Sequence, residues 1–214
     1  MSFTYGTLKT AIQDYLEVSE TTFTTQLPTF IKEAEDRIFS FVQLPKQRKN
    51  VQGNLTTGNR FLATPTDFYA PMSLAIISSS THDYLDFKHP SFMKEFSPGT
   101  TQTTPKYYSL FDDAAFEVSP IPDSDLTVEL HYFYKPESLT SGSDSGSTFL
   151  STDYPDALLY GSLVEGAIFL KEPADVVAQF EGRFKEAVGR MKNTSEGRGT
   201  RDEYRYDSVR ISVT

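Results

Sequence analysis

The sequence predicts an α+β chain: a four-helix bundle of two N-terminal and two C-terminal helices, a central antiparallel β-rich insertion, and an extended C-terminal tail. Three observations predict it. Apolar residues recur at three- and four-residue intervals towards both ends, the pattern of helices that bury one face. From Val51 onward, Thr, Gly, Asn and Pro punctuate short runs rich in Phe, Tyr, Val and Ile, which is strand-and-turn texture. Residues 200–214 carry no helical stripe and follow a Gly-containing break. The expected division is 1–48 with 151–195 as the bundle, 49–150 as the insertion and 196–214 as the arm.

Leu8, Ile12, Tyr15 and Leu16 predict a first helix over residues 7–17. The Ser-Glu-Thr-Thr-Phe-Thr-Thr stretch at 19–25 reads as a connector rich in capping residues. A second helix is expected from Gln26, with Leu27, Phe30, Ile31, Ala34, Ile38, Phe41 and Val42 on its apolar face. Pro28 then falls in its first turn, where a missing N–H costs little, and Pro45 ends it. In the insertion the clearest strand is 126–135, where Val128, Leu130, Tyr132 and Tyr134 alternate with Thr127, Glu129, His131 and Phe133. Residues 107–110 and 116–119 read as its partner strands, Asp112-Asp113 as the turn between them, and 90–96 as a short helix.

Residues 140–148, with Ser-Gly-Ser-Asp-Ser-Gly-Ser at the centre, read as a flexible polar loop. Asp153 is the expected cap of the third helix, whose stripe is Leu158, Leu159, Leu163, Ala167 and Leu170. Pro173 opens the fourth, with Val176, Val177, Phe180, Phe184, Val188 and Met191, and residues 193–199 end it. Beyond it, Tyr204, Tyr206, Val209, Ile211 and Val213 favour extended structure. Two readings stand for that segment: an arm that adds a strand to a neighbour's sheet, or a frayed terminus.

The composition bounds the function. At 214 residues and 38% hydrophobic, the chain is long and apolar enough for a packed core. It contains no apolar run of membrane-spanning length, and no secretory signal is expected from its first residues. The absence of cysteine excludes disulfides and thiolate metal sites and fits folding in a reducing cytoplasm. A net charge of −9 argues against generalised nucleic-acid binding. Residues 182–210 run against that balance, with eight basic residues to five acidic. This polarity suits charge-steered docking, or it is a solvated helix face plus a tail.

No catalytic, metal or cofactor site is expected. His82, His89 and His131 are not paired at ligand spacing, and no P-loop, nucleophile elbow or dinucleotide fingerprint occurs. Asp112-Asp113 and Glu33 with Asp36 read as turn and helix-surface acids. The aromatics, 14% of the chain, read as cross-strand packing and subunit contact. The rival reading makes Tyr107, Tyr108 and Tyr132 a stacking surface for sugars or single strands.

The order Pro105-Lys106-Tyr107-Tyr108, then 116–122 (Phe-Glu-Val-Ser-Pro-Ile-Pro), then 128–136 (Val-Glu-Leu-His-Tyr-Phe-Tyr-Lys-Pro), resembles the β part of tailed-bacteriophage head-to-tail adaptor (connector) proteins. Phe149-Leu150, the run 154–163 (Tyr-Pro-Asp-Ala-Leu-Leu-Tyr-Gly-Ser-Leu), Glu165-Gly166-Ala167 and Phe169-Leu170 are similar to the family's helix-opening segment and its continuation. The resemblance implies a virion protein of the head-tail junction, assembled in the host bacterial cytoplasm as a homo-oligomeric ring of twelve copies. Such a ring docks beneath the portal protein and extends the channel through which viral DNA passes without sequence-specific binding. It also receives the tail tube, nozzle or stopper protein, while a C-terminal extension reaches the portal. Arg201, Tyr204, Arg205, Tyr206, Arg210 and Ile211 are the candidate contacts to portal or neighbouring subunit. The alternatives are a stopper or tail-tube-proximal ring protein and, in another class, a carbohydrate-binding or hydrolytic module.

Overall fold

Two separate hydrophobic cores organise the chain. The structure is a computed structural model describing residues 2–79, 81–97 and 99–207. It divides into one unit of Met1–Pro45 with Glu137–Thr214 and a second of Lys46–Pro136.

The first unit holds α1 (Tyr5–Leu16), α2 (Thr21–Phe41), α4 (Phe149–Asp153), α5 (Pro155–Phe169) and α6 (Ala174–Asp207). Helix α1 starts at Thr4, whose side chain accepts from the Thr7 amide in a capping box. Its remaining first-turn donors go to the serine-rich loop: Tyr5 N–H to Gly146 O (2.9 Å) and Gly6 N–H to Asp144 O (2.8 Å). Lys9 Nζ adds a 2.6 Å bond to Asp144. The polar loop thus satisfies a helix end that would otherwise leave donors unpaired.

Helix α2 begins five residues earlier than its periodicity suggests, because Phe23 is driven into the core and carries the Thr-rich stretch with it. Pro28 therefore lies in the helix interior rather than the first turn. The Thr24 and Thr25 hydroxyls each bond back to Thr21 O in the turn before it. Asp153 closes the short helix α4 instead of capping α5, which starts at Tyr154 without a side-chain cap.

The expected four-helix bundle is not what forms. Helix α5 is apolar on every side, with Leu158, Leu159, Leu163, Val164 and Ala167 buried around its circumference. A helix without a polar face must be surrounded, so α5 runs through the middle while α1, α2, α4 and α6 pack on it. Two glycines allow the close approach. A Cβ at Gly161 would lie 2.9 Å from Ala34 Cβ and 3.1 Å from the Phe184 ring, and one at Gly166 would lie 2.8 Å from Leu16. The buried Ser162 hydroxyl is satisfied by Leu158 O (2.8 Å).

The expected extended tail is also corrected as far as Asp207, because α6 continues unbroken to that residue. A helix already nucleated gains one backbone bond for each residue added. That gain carries it past Gly197 and Gly199, each a cost of roughly 1 kcal/mol. Residues 208–214 lie outside the described residues.

The second unit is a sheet with a core of its own. It comprises β1 (Arg48–Leu55), β2 (Phe61–Ala63), β3 (Phe68–Ser78), β4 (Thr81–Phe87), α3 (Pro90–Phe96), β5 (Tyr107–Asp112), β6 (Ala115–Ser119) and β7 (Leu126–Tyr134). The seven strands form one sheet in the order β1-β7-β3-β4-β5-β6-β2. It is not wholly antiparallel: β4 meets β5 in parallel at Asp86–Tyr107 and Phe87–Tyr108. Its ends curl towards each other, and Leu62 Cδ1 lies 3.8 Å from where a Cβ at Gly53 would stand. The sheet is therefore barrel-like and nearly closed around Leu55, Leu74, Tyr108, Phe116, Val128 and Leu130. Strands β5 and β6 form a hairpin with each other, whereas β7 pairs with β1 and β3. Pro71 of β3 lies at a register shift, where a missing N–H does not break the ladder.

Glu35 on α2 is buried, and its carboxylate accepts the Leu139 amide at 3.0 Å. Burial raises this carboxyl above the ordinary range, against smaller opposing effects of its bonds from Ser138 and Leu139. The folded state therefore holds the proton more tightly than the unfolded one. The group's contribution to stability is fully present in acid, below the unfolded pKa, and is lost as pH rises through the folded pKa. Glu35→Gln keeps an acceptor for Leu139 and removes the buried charge. It should melt above wild type at about pH 8, with the gain gone at about pH 4, in thermal denaturation followed by circular dichroism. Gly161→Ala should cost about 1–3 kcal/mol by overpacking α5 against α2 and α6. Gly182→Ala and Gly189→Ala, on a side of α6 with no atom within 4 Å of the added Cβ, should each gain about 0.5–1 kcal/mol in urea titrations.

Candidate functional site

Several exposed apolar side chains lie on the surface of each unit. In the helical unit, Phe41 closes one side of a groove between α2 and α6 of about 280 Å³, lined also by Val42, Phe184, Val188 and Gly189. The groove has a charged rim. Arg37 Nη2 holds Glu181 at 2.6 and 2.8 Å, its guanidinium carbon lies over the Phe184 ring at 4.6 Å, and its Nη1 approaches Glu165 at 3.7 Å. One guanidinium thus ties α2, α5 and α6 together. Glu181 is held below the ordinary carboxylate range by Arg37 and Lys185 against an opposing burial effect, while burial raises Glu165.

In the sheet unit, Tyr84 is 66% exposed on β4, with Phe87 exposed nearby on the same strand. Phe61 and Phe111 form an edge-to-face pair at 5.1 Å that remains open to solvent. In a second, partly exposed cluster Phe92 and Phe96 of α3 pack on Tyr107 at 5.1 and 4.8 Å, which fixes α3 on β5. Arg60 reaches the buried Glu117 carboxylate at 3.2 Å, while among the described residues Glu117 Oε2 and the opposing Ser109 hydroxyl have no hydrogen-bond partner.

The three histidines do not stay as separate as their spacing suggests. His131 Nε2 lies 2.6 Å from Glu129 Oε1, and His82 Nε2 lies 3.7 Å from Glu129 Oε2. Pairing of β4 with β3 and of β3 with β7 brings them to one face, which no linear spacing encodes. Glu129 is held below the ordinary range first by its bond with His131 and then by Asn50. Among the described residues no group of three or more His, Cys, Asp or Glu side chains has the arrangement to hold a metal ion.

The proposed sugar-stacking surface does not form. Tyr108 and Tyr132 are buried in the sheet core, and Tyr107 is occupied by α3. The Tyr132 hydroxyl donates to Asp67 (2.8 Å), and burial together with that bond pushes its pKa up to about 12. Lys49 binds the same carboxylate at 2.7 Å, so Asp67 lies below the ordinary range. Asp112 accepts the Ala114 amide at 2.9 Å and serves the β5–β6 turn.

Of the residues singled out for portal or neighbour contact, Arg201, Tyr204, Arg205 and Tyr206 belong to the last turns of α6. Arg210 and Ile211 lie outside the described residues. No described helix is long and apolar enough to cross a membrane. Compared with known proteins, residues 3–211 match the family model described as SU10 adaptor protein. No curated protein matches the chain.

Proposed function

Because the chain belongs to the SU10 adaptor protein family, a family of bacteriophage virion proteins, we propose that it is the head-to-tail adaptor of its particle. In this reading twelve copies form a ring that docks under the portal, extends the DNA channel and presents a platform to the tail tube, nozzle or stopper. The observation that carries it is the family match, which runs through both units and the whole of α6.

The physical character of the molecule supports it. A closed ring needs two different lateral faces on each subunit. The exposed Phe41 groove and the exposed aromatics of β4, Phe61 and Phe111 are side chains of the kind enriched at protein interfaces. The net charge of −9 suits a channel wall along which DNA slides without being gripped. Helix α6 separates the roles along its length. Phe184, Ala187, Val188 and Met191 belong to the core, and Ser195 bonds Gln43 O at 3.1 Å. The basic residues from Arg198 onward follow Ser195 in the chain. They are available for charge-steered docking on the portal, with Arg201, Tyr204, Arg205, Tyr206, Arg210 and Ile211 as the contact set.

A chain truncated after Gly199 keeps every α6 residue described in the helical core. Its circular dichroism and melting temperature should match the full chain, while its affinity for isolated portal rings should fall at least about tenfold, or about 1.4 kcal/mol, in sedimentation or pull-down titrations. Unchanged portal affinity in a folded truncation would refute the role of this segment.

A further inference from the structure

The open edge of β4 points to how one subunit grips the next. The Asp86 amide donates to Lys106 O (3.0 Å) and the Lys88 amide to Tyr108 O (2.9 Å), so both face β5. Alternate residues of a strand direct their backbone groups to the same side, so His82 and Tyr84 continue that edge. β5 pairs with β4 only at Asp86 and Phe87, however. Among the described residues, 81–85 have a ladder partner on β3 alone, and all but Leu85 are exposed. This is an unprotected strand edge beside a large exposed Tyr84 ring.

The opposite end of the same sheet offers its complement. Following the ladder from β4 through β3 to β7, the backbone groups of Arg48, Asn50 and Gln52 are directed away from β7. Arg48 and Asn50 are exposed, and the approach of β2 is at Gly53, further along β1. Strand directions alternate through β1-β7-β3-β4, so β1 of another copy laid against β4 continues the antiparallel order. Charge favours this pairing. β1 carries Arg48 and Lys49 and no acid, although Lys49 also binds Asp67 of its own subunit, whereas β4 carries Asp83 and Asp86 and no Lys or Arg. A two-fold pairing of β4 with itself, centred on the open residues, would set Asp83 opposite Asp83, which is unfavourable.

We infer that β4 of one subunit accepts β1 of the next as an added strand. Asp83 then stands opposite the neighbour's Lys49, Tyr84 opposite its Arg48, and His82 opposite its Asn50. The contact is heterologous, so it propagates from copy to copy and closes where the rotation allows. It rests on the ring reading above and specifies the ring's lateral bond.

The natural chain has no cysteine, so His82→Cys with Asn50→Cys in one chain can be probed by a short bis-maleimide. The expected result is a ladder of crosslinked multimers, with neither single variant giving one. Tyr84→Pro removes an amide directed to the open edge, away from β3. It should leave the circular dichroism unchanged and raise the concentration for half-assembly about tenfold or more in sedimentation velocity. Rings that form normally but give no ladder would overturn the strand-addition contact and leave the ring standing. Crosslinked dimers from either single variant would overturn it in favour of a two-fold contact. A chain that stays monomeric both alone and with its portal would overturn the ring reading itself.

Discussion

The helical unit depends on one constraint: α5 has no polar face and must be covered on all sides. Gly161 and Gly166 let α2, α6 and α1 come close enough to do so, and the chain's order follows from that need. The N-terminal helices are separated from α5 by the whole sheet unit, yet they fold back onto it. Arg37 fixes the same arrangement from outside by binding Glu181 on α6 and approaching Glu165 on α5. Glu35 fixes the re-entry of the chain by holding the Leu139 amide at 3.0 Å. A core that draws on both ends of the chain leaves the segment between them free to build its own.

That segment makes a sheet with the opposite solution. Most of its strands bury one face, β6 buries both, and curling lets the inner faces share a single core around Phe116 and Leu130. Curling brings the two ends of the sheet near each other without fully pairing them. Along β4 and the start of β1, backbone groups are left directed outwards. Most soluble proteins shield such edges, because an exposed strand invites another. In a subunit of a closed assembly the same feature is a means of association.

Much of this was legible in the residues. The periodicities of α1, α5 and the first part of α6, the alternation of β7, the β5–β6 hairpin and the short helix at Pro90–Phe96 all reflect local patterns that the fold keeps. The errors have physical causes. α5 was read as having one stripe because Leu158, Leu159 and Leu163 are conspicuous, whereas Gly161, Ser162 and Gly166 look neutral although they are buried. β1 is polar along most of its length and carries Gly53, so only its place in the ladder makes it a strand. The α6 continuation was obscured by Gly197 and Gly199, whose local cost is overridden by a helix already under way. The approach of His82 to Glu129 crosses three strands and has no sequence signal, whereas Glu129 and His131 share a face of β7 by their two-residue spacing. The resemblance of residues 105–170 to phage adaptors was the most informative reading, and the family match extends it along residues 3–211.

In the proposed function the chain is a part whose chemistry is that of its surfaces, which meet copies of itself and a larger ring. Native mass spectrometry of the protein mixed with its cognate portal addresses that claim most directly. The account predicts a complex in which twelve copies of the chain ride on one portal ring. Portal rings that appear at their own mass beside free monomers, at concentrations well above those of assembly in the cell, would contradict it.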